Sequence, residues 1–202
     1  MAVAIELRPR LQLYHALAAL LVAENEIDAY RKLCPEIIAR FAGTTNASAA
    51  DIIVKDCLIL PSPGVDLERI AVLAEYAVTR GKGESPYTFY LCSKALADYR
   101  RGKLQEALAL TSVILKDPFS YTQAEGSAVR AMSQFRMGET AEARATLASL
   151  EIIVQKKLPA LRSHNLGGDW RDWIISHALL EEAKSMIQGP TSTNIDWRKS
   201  NE

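Results

Sequence analysis

The sequence carries little punctuation, with ten glycines and eight prolines among 202 residues. That scarcity argues against the many tight turns of an all-β sandwich or barrel and suits long helices. Cysteine is equally sparse. Cys34, Cys57 and Cys92 are odd in number and scattered, so they supply neither a disulfide framework nor a metal-ligand spacing, and a reducing cytoplasm is the expected setting. There is no excess of either charge: 24 basic residues face 24 acidic ones. With no global field to attract a polyanion, neither nucleic acid nor an anionic membrane surface is expected as a partner. No apolar run reaches the roughly 18 residues of a membrane span, and the N-terminus lacks the basic region and apolar stretch of an export signal. Only three histidines are present. What remains is a chain that is 49% hydrophobic and 24% charged, enough to bury a core and too apolar for disorder.

Apolar residues recur at helical spacing almost throughout, in nine segments. The first runs from about Pro9 to Ala23 and the second from Ile27 to Phe41, with Pro35 inside it predicting either a kink or a break into two short helices. Ser48 and Asp51 have the spacing of a capping arrangement that opens a third helix to about Leu60. Pro61-Ser62-Pro63-Gly64 closes it, and Asp66 caps a fourth helix ending at Arg80, with Gly81 as its C-terminal cap. Ser85-Pro86 starts a fifth, which stops at Gly102. Leu104 to Leu115 forms the sixth, and Ser120 with Gln123 reads as a capping box for the seventh, to Met137. Gly138 separates the eighth, which ends near Leu158. A polar loop then leads to Asp169 as cap of the ninth, terminated by Gly189-Pro190. No segment shows strand alternation, so the predicted class is all-α. Residues 1–190 read as one domain and 191–202 as a flexible polar tail.

An internal repeat is the most informative pattern. Ala95, Tyr99, Gly102, Glu106 and Ala107 recur 36 residues later as Ala131, Phe135, Gly138, Glu142 and Ala143. A small residue lets two helices approach, an aromatic fills the space beside it, glycine makes the turn, and alanine admits the returning helix. This pattern resembles the tetratricopeptide repeat (TPR), a helix-turn-helix unit of about 34 residues that stacks on its neighbours. The first helix pair is a degraded version in which Glu24-Asn25 replaces the glycine turn, and the third and fourth helices belong more by position than by motif.

A second resemblance covers most of the chain. Asp28-Ala29-Tyr30-Arg31-Lys32-Leu33-Cys34, Asp56-Cys57-Leu58-Ile59-Leu60-Pro61, Leu73-Ala74-Glu75-Tyr76-Ala77-Val78 and Asp169-Trp170-Arg171-Asp172-Trp173 are similar, in order and spacing, to the helical-repeat region at the C-terminal end of many bacterial eukaryotic-like Ser/Thr protein kinases. The resemblance implies a relative of a kinase's interaction region, standing alone or excised. It implies no kinase activity, because the chain has no Gly-rich phosphate loop, no His-Arg-Asp loop and no Asp-Phe-Gly.

The search for chemistry yields little. His15, His164 and His177 are far apart and none has a metal-motif partner, so no metal or other cofactor is expected. Ser163, His164 and Asp169 lack the strand-turn-helix setting of a nucleophile and read as a connector. Trp170 and Trp173 can seal the open end of the helix stack or stay exposed for a partner, and sealing is the expected role. The three cysteines read as small core residues.

If the repeats stack as TPRs do, the first helix of each pair lines a concave groove. Its residues are then Phe89, Cys92, Leu96, Tyr99 and Arg100 in one repeat, and Glu125, Ala128, Met132, Phe135 and Arg136 in the next. The groove is apolar and aromatic with two arginines. It lacks the Lys and Asn positions of repeats that grip a C-terminal carboxylate, and it suits a helix, either a partner's or the protein's own tail. The expectation is therefore a right-handed stack of about four TPR-like hairpins plus a capping helix. It would be a non-enzymatic protein-interaction module, monomeric or weakly dimeric, that binds a protein or peptide through Phe89, Leu96, Tyr99, Arg100, Met132, Phe135 and Arg136. The alternative is a domain acting in cis on a kinase domain of a longer polypeptide.

Overall fold

The computed structural model describes residues 2–61, 63–84, 87–158 and 167–189, with side chains from Arg10 onward. The Ser85-Pro86 cap, most of the loop before the last helix, including Ser163 and His164, and the 191–202 tail lie outside the described residues. The described residues form nine α-helices and no strand: α1 Ala2–Ala23, α2 Ile27–Phe41, α3 Ala47–Leu58, α4 Leu67–Arg80, α5 Tyr87–Arg100, α6 Leu104–Ile114, α7 Ser120–Arg136, α8 Thr140–Lys157 and α9 Trp170–Gln188. The all-α class is as expected. No helix among these residues is long and apolar enough to cross a membrane. Pro35 lies inside an uninterrupted α2, so the second segment does not break in two.

The turns carry the repeat. In the α5–α6 and α7–α8 connections, Gly102 (φ 78) and Gly138 (φ 86) adopt the left-handed conformation. In each, the next amide reaches back five residues, Lys103 N to the Asp98 carbonyl at 2.8 Å and Glu139 N to the Gln134 carbonyl at 2.9 Å. This closes the helix end as a Schellman turn. The α1–α2 connection is built identically: Asn25 takes φ 58 and Glu26 N reaches the Leu21 carbonyl at 2.8 Å. Asparagine tolerates this conformation better than other non-glycine residues, which is why the degraded first pair keeps the same turn.

Caps are less well read. Asp66 caps α4 by accepting from Glu68 N, as expected. The α3 cap is Asn46, which accepts from Ala49 N, and Asp51 is buried inside the molecule. Ser120 and Gln123 form no capping box. Asp117 accepts from Phe119 N at 2.9 Å, and the Gln123 amide donates to the Asp117 carbonyl. Asp169 precedes α9 without capping it through its side chain. Gly81 ends α4 at an ordinary φ of −87, and its lack of a side chain serves the packing: a Cβ there would stand 2.1 Å from the Tyr90 ring.

Packing is pairwise and serial. α1 meets α2, α3 meets α4, α5 meets α6 and α7 meets α8, while the first members of the pairs, α1, α3, α5 and α7, touch in that order. The small repeat residues Ala95, Ala107, Ala131 and Ala143 are all fully buried at these contacts, as the repeat predicts, while Glu106 and Glu142 stay exposed in the first turns of α6 and α8. The core runs through all pairs, from Tyr30, Ile37, Ile53 and Leu58 to Met132, Leu147, Leu150, Ile175 and Leu179. Cys34, Cys57 and Cys92 lie within it as free thiols.

Candidate functional site: a groove holding the last helix

α9 packs against α7, α1 and α8, and its side chains also reach α3 and α5. Its apolar stripe, Ile175, Leu179, Ala183 and Ile187, has the four-residue spacing of an amphipathic helix and is buried. The contacts follow one face of the helix. Asp172 accepts from Lys55 Nζ of α3 at 3.0 Å, and Trp173 stands edge-on to Tyr121 of α7 with centroids 5.1 Å apart. Ser176 Oγ donates to the Tyr121 carbonyl. Leu179 packs with Leu96 and Val129, and Glu182 takes both terminal nitrogens of Arg100. At the end, Tyr99 donates its hydroxyl to Met186 Sδ at 3.7 Å.

The expected groove residues can be placed against this. Leu96, Tyr99 and Met132 are buried, Phe89 and Phe135 half-buried, and Arg136 exposed. Phe89 belongs to a ring cluster with Phe119 and Tyr121, and Lys55 Nζ sits 5.4 Å from its centroid. Arg100 does two jobs, donating to the Leu58 and Ile59 carbonyls at the end of α3 while forking onto Glu182, with its Nη2 2.7 Å from Glu182 Oε2. Arg136 donates to the Tyr99 carbonyl and lies over the Tyr99 ring, centroid 5.2 Å away. Leu96, Tyr99 and Arg100 meet α9 directly, so in this structure the chain's own helix covers them. Trp170 and Trp173 are both half-buried at the start of α9, Trp173 against the Tyr121 ring and Trp170 with Arg171 over its ring.

Sequence reasoning missed a polar cluster under α9. Lys55 is 5% exposed and faces Asp172 and, at 3.4 Å, Glu125 Oε2. Ser93 donates to Asp51 at 2.5 Å, and His15 Nδ1 lies 2.5 Å from Asp56 Oδ1. Burial works against the Lys55 ammonium, but the acidic groups around it, Asp172 foremost, outweigh that and hold its pKa well above the ordinary lysine range. Burial pushes Glu125 up to about 8 against the pull of Lys55, and it raises Asp51 and Asp56 too. Asp172 is also penalised by burial, yet the Lys55 charge and hydrogen bond bring it below the ordinary aspartate value. Near neutrality Lys55 and Asp172 are thus the charged pair, with Glu125 largely protonated beside them.

Converging carboxylates of shifted acidity are what an active site requires, but a reaction also needs a place for the reacting atom. The space where Lys55, Cys92, Ser93, Leu96, Glu125, Val129 and Leu179 meet is too small for a water molecule. The cluster joins α1, α3, α5, α7 and α9. The signal in the sequence was faint: Asp51, Lys55 and Asp56 interrupt the apolar run of α3, and Glu125 precedes the small residues Gly126, Ser127 and Ala128.

Comparison with family models, with curated proteins and with solved structures returns no match to this chain.

Proposed function

We propose that the protein is a non-catalytic interaction module, a stack of TPR-like hairpins whose groove binds an amphipathic helix. The observation that carries this reading is the grip on α9. Its stripe of apolar side chains is buried while Arg100 forks onto Glu182 and Lys55 holds Asp172. A partner helix of the same chemistry, apolar residues at four-residue spacing with one acidic residue placed for Lys55 and another ten positions later for Arg100, would fit the same surface. The three matching turns and the serial contacts of α1, α3, α5 and α7 support the repeat reading.

A partner helix competes with α9 in this reading, and α9 is tethered. A short connection gives it an effective concentration on the order of millimolar, so binding in trans is weak until the tethered helix is loosened. The test is a titration of a labelled synthetic peptide spanning 169–189 into the full chain, followed by anisotropy. Saturable binding that tightens at least tenfold when the chain carries Glu182→Ala is expected, with loss of binding when the peptide carries the same change. Absence of binding to a folded Glu182→Ala chain would overturn the proposal.

A further inference from the structure

Beneath α9, four carboxyls are gathered around one lysine and one histidine. Lys55 Nζ stands between two of them, 3.0 Å from Asp172 Oδ1 on α9 and 3.4 Å from Glu125 Oε2 on α7. Asp51, one turn earlier on α3, takes the Ser93 hydroxyl, and Asp56 faces His15 of α1. The other neighbours of Glu125 bring it no charge at close range. Cys92 of α5 lies beside it, Ile114 of α6 packs at Gly126, and Lys157 of α8, exposed, is bonded to Gln123.

One ammonium does not balance two carboxylates where no water fits. Glu125 is the one left protonated, since its Oε1 is buried with no hydrogen-bond partner among the described residues, while Asp172 has the shorter contact to Lys55. The two also differ in their way out. Glu125 is held in α7 between α5, α6, α8 and α9, whereas Asp172 lies in the first turn of α9 with its side chain already 20% exposed. If Glu125 ionises, the cluster sheds the surplus charge by letting Asp172 go.

We propose that Lys55 is the moving part of a proton-operated latch on the groove. With Glu125 protonated, Lys55 holds Asp172 and keeps α9 seated; when Glu125 gives its proton to solvent, the ammonium passes to Glu125 and Asp172 leaves with α9 for water. The latch rests on the helix-binding reading for what it regulates, a groove freed for a partner helix. The closed state holds a proton that the open state releases, so α9 is seated most firmly at mildly acidic pH and loosens as the pH rises toward about 8. Asp51 acts in the same sense, and Asp172 opposes it only below its ordinary range.

Hydrogen exchange of the full chain at pH 6 and pH 8, each amide corrected for its intrinsic rate, reads the latch as the protection of α9. One proton shifts an opening by at most about tenfold per pH unit. The α9 amides are expected to be less protected than those of α3 and α5 at pH 8 and to lose at least tenfold in protection from pH 6 to pH 8. Glu125→Gln, which stays neutral, should remove that loss and keep α9 seated at both pH values. Asp172→Asn, which leaves Lys55 to Glu125 alone, should remove it too, with α9 poorly protected throughout. An α9 that opens on its own equally at both pH values, or a loss that survives in Glu125→Gln, would overturn the latch and leave the groove reading standing. An α9 that opens only together with α3 and α5 would overturn both.

Discussion

At the scale of single residues, Glu125 shows how burial and partnership set a charge state. Its carboxyl loses hydration inside α7, and Lys55, the nearby cation, is already engaged by Asp172. The proton therefore stays on to about pH 8, against an ordinary value of 4.5. The folded chain holds a proton that the unfolded chain releases, so the contribution of Glu125 to stability is fullest below about pH 4.5 and declines as the pH rises toward 8. Asp51 and Asp56 act in the same sense from lower pH, whereas Asp172 acts oppositely and only below its ordinary range. Glutamine copies the protonated form of Glu125. Urea unfolding at pH 5 and pH 8.5 should show wild type losing more than about 1 kcal/mol between the two, and Glu125→Gln losing clearly less. An unchanged difference would show that Glu125 does not titrate there. None of this was legible in the sequence, because acidity shifts come from neighbours on other helices, and Lys55 and Asp172 are brought together from 117 residues apart.

At the scale of elements, the sequence read well wherever the determinant was local. Most helix bounds followed from apolar spacing, although α1 begins at Ala2 and runs through Pro9 where a start near Pro9 was expected; Gly102 and Gly138 marked the turns because only a residue free of Cβ strain takes positive φ cheaply. Capping was misread at Ser48 and Ser120, since several polar residues near a helix start compete for the same amides and local spacing does not choose between them. Gly126 was passed over, although it lies inside α7 where glycine is ordinarily unfavourable. Its reason is tertiary: a Cβ there would stand 2.5 Å from Ile114 Cγ2 on α6. Alanine at 126 gains up to about 1 kcal/mol in helix propensity but forces α6 and α7 apart, so Gly126→Ala should destabilise by about 1 to 3 kcal/mol. Denaturant unfolding checks the sign. By contrast Asn25→Gly, at a left-handed turn with an exposed side chain, should leave stability nearly unchanged or slightly raised.

At the scale of the whole molecule, α9 packs against α7, α1 and α8, and its side chains reach α3 and α5. The residues that receive it were legible as a group, since Leu96, Tyr99 and Arg100 were assigned to one surface from the repeat alone. The occupant in this structure is α9, which the sequence pattern marks as a capping helix while leaving the groove to a partner's helix or the protein's own tail; periodicity could not single it out, because an amphipathic stripe says which face is buried and nothing of what covers it. In the proposed function the groove is a helix-binding surface and α9 its tethered occupant. Hydrogen exchange of the full chain, resolved by segment, tests this most directly. The α9 amides should exchange faster than those of α3, α5 and α7 through an opening of α9 alone, and Glu182→Ala should speed α9 at least tenfold while leaving α3 and α5 unchanged. If α9 exchanges only as fast as α3 and α5 in both proteins, it opens only with global unfolding, and the groove is closed core rather than a binding surface.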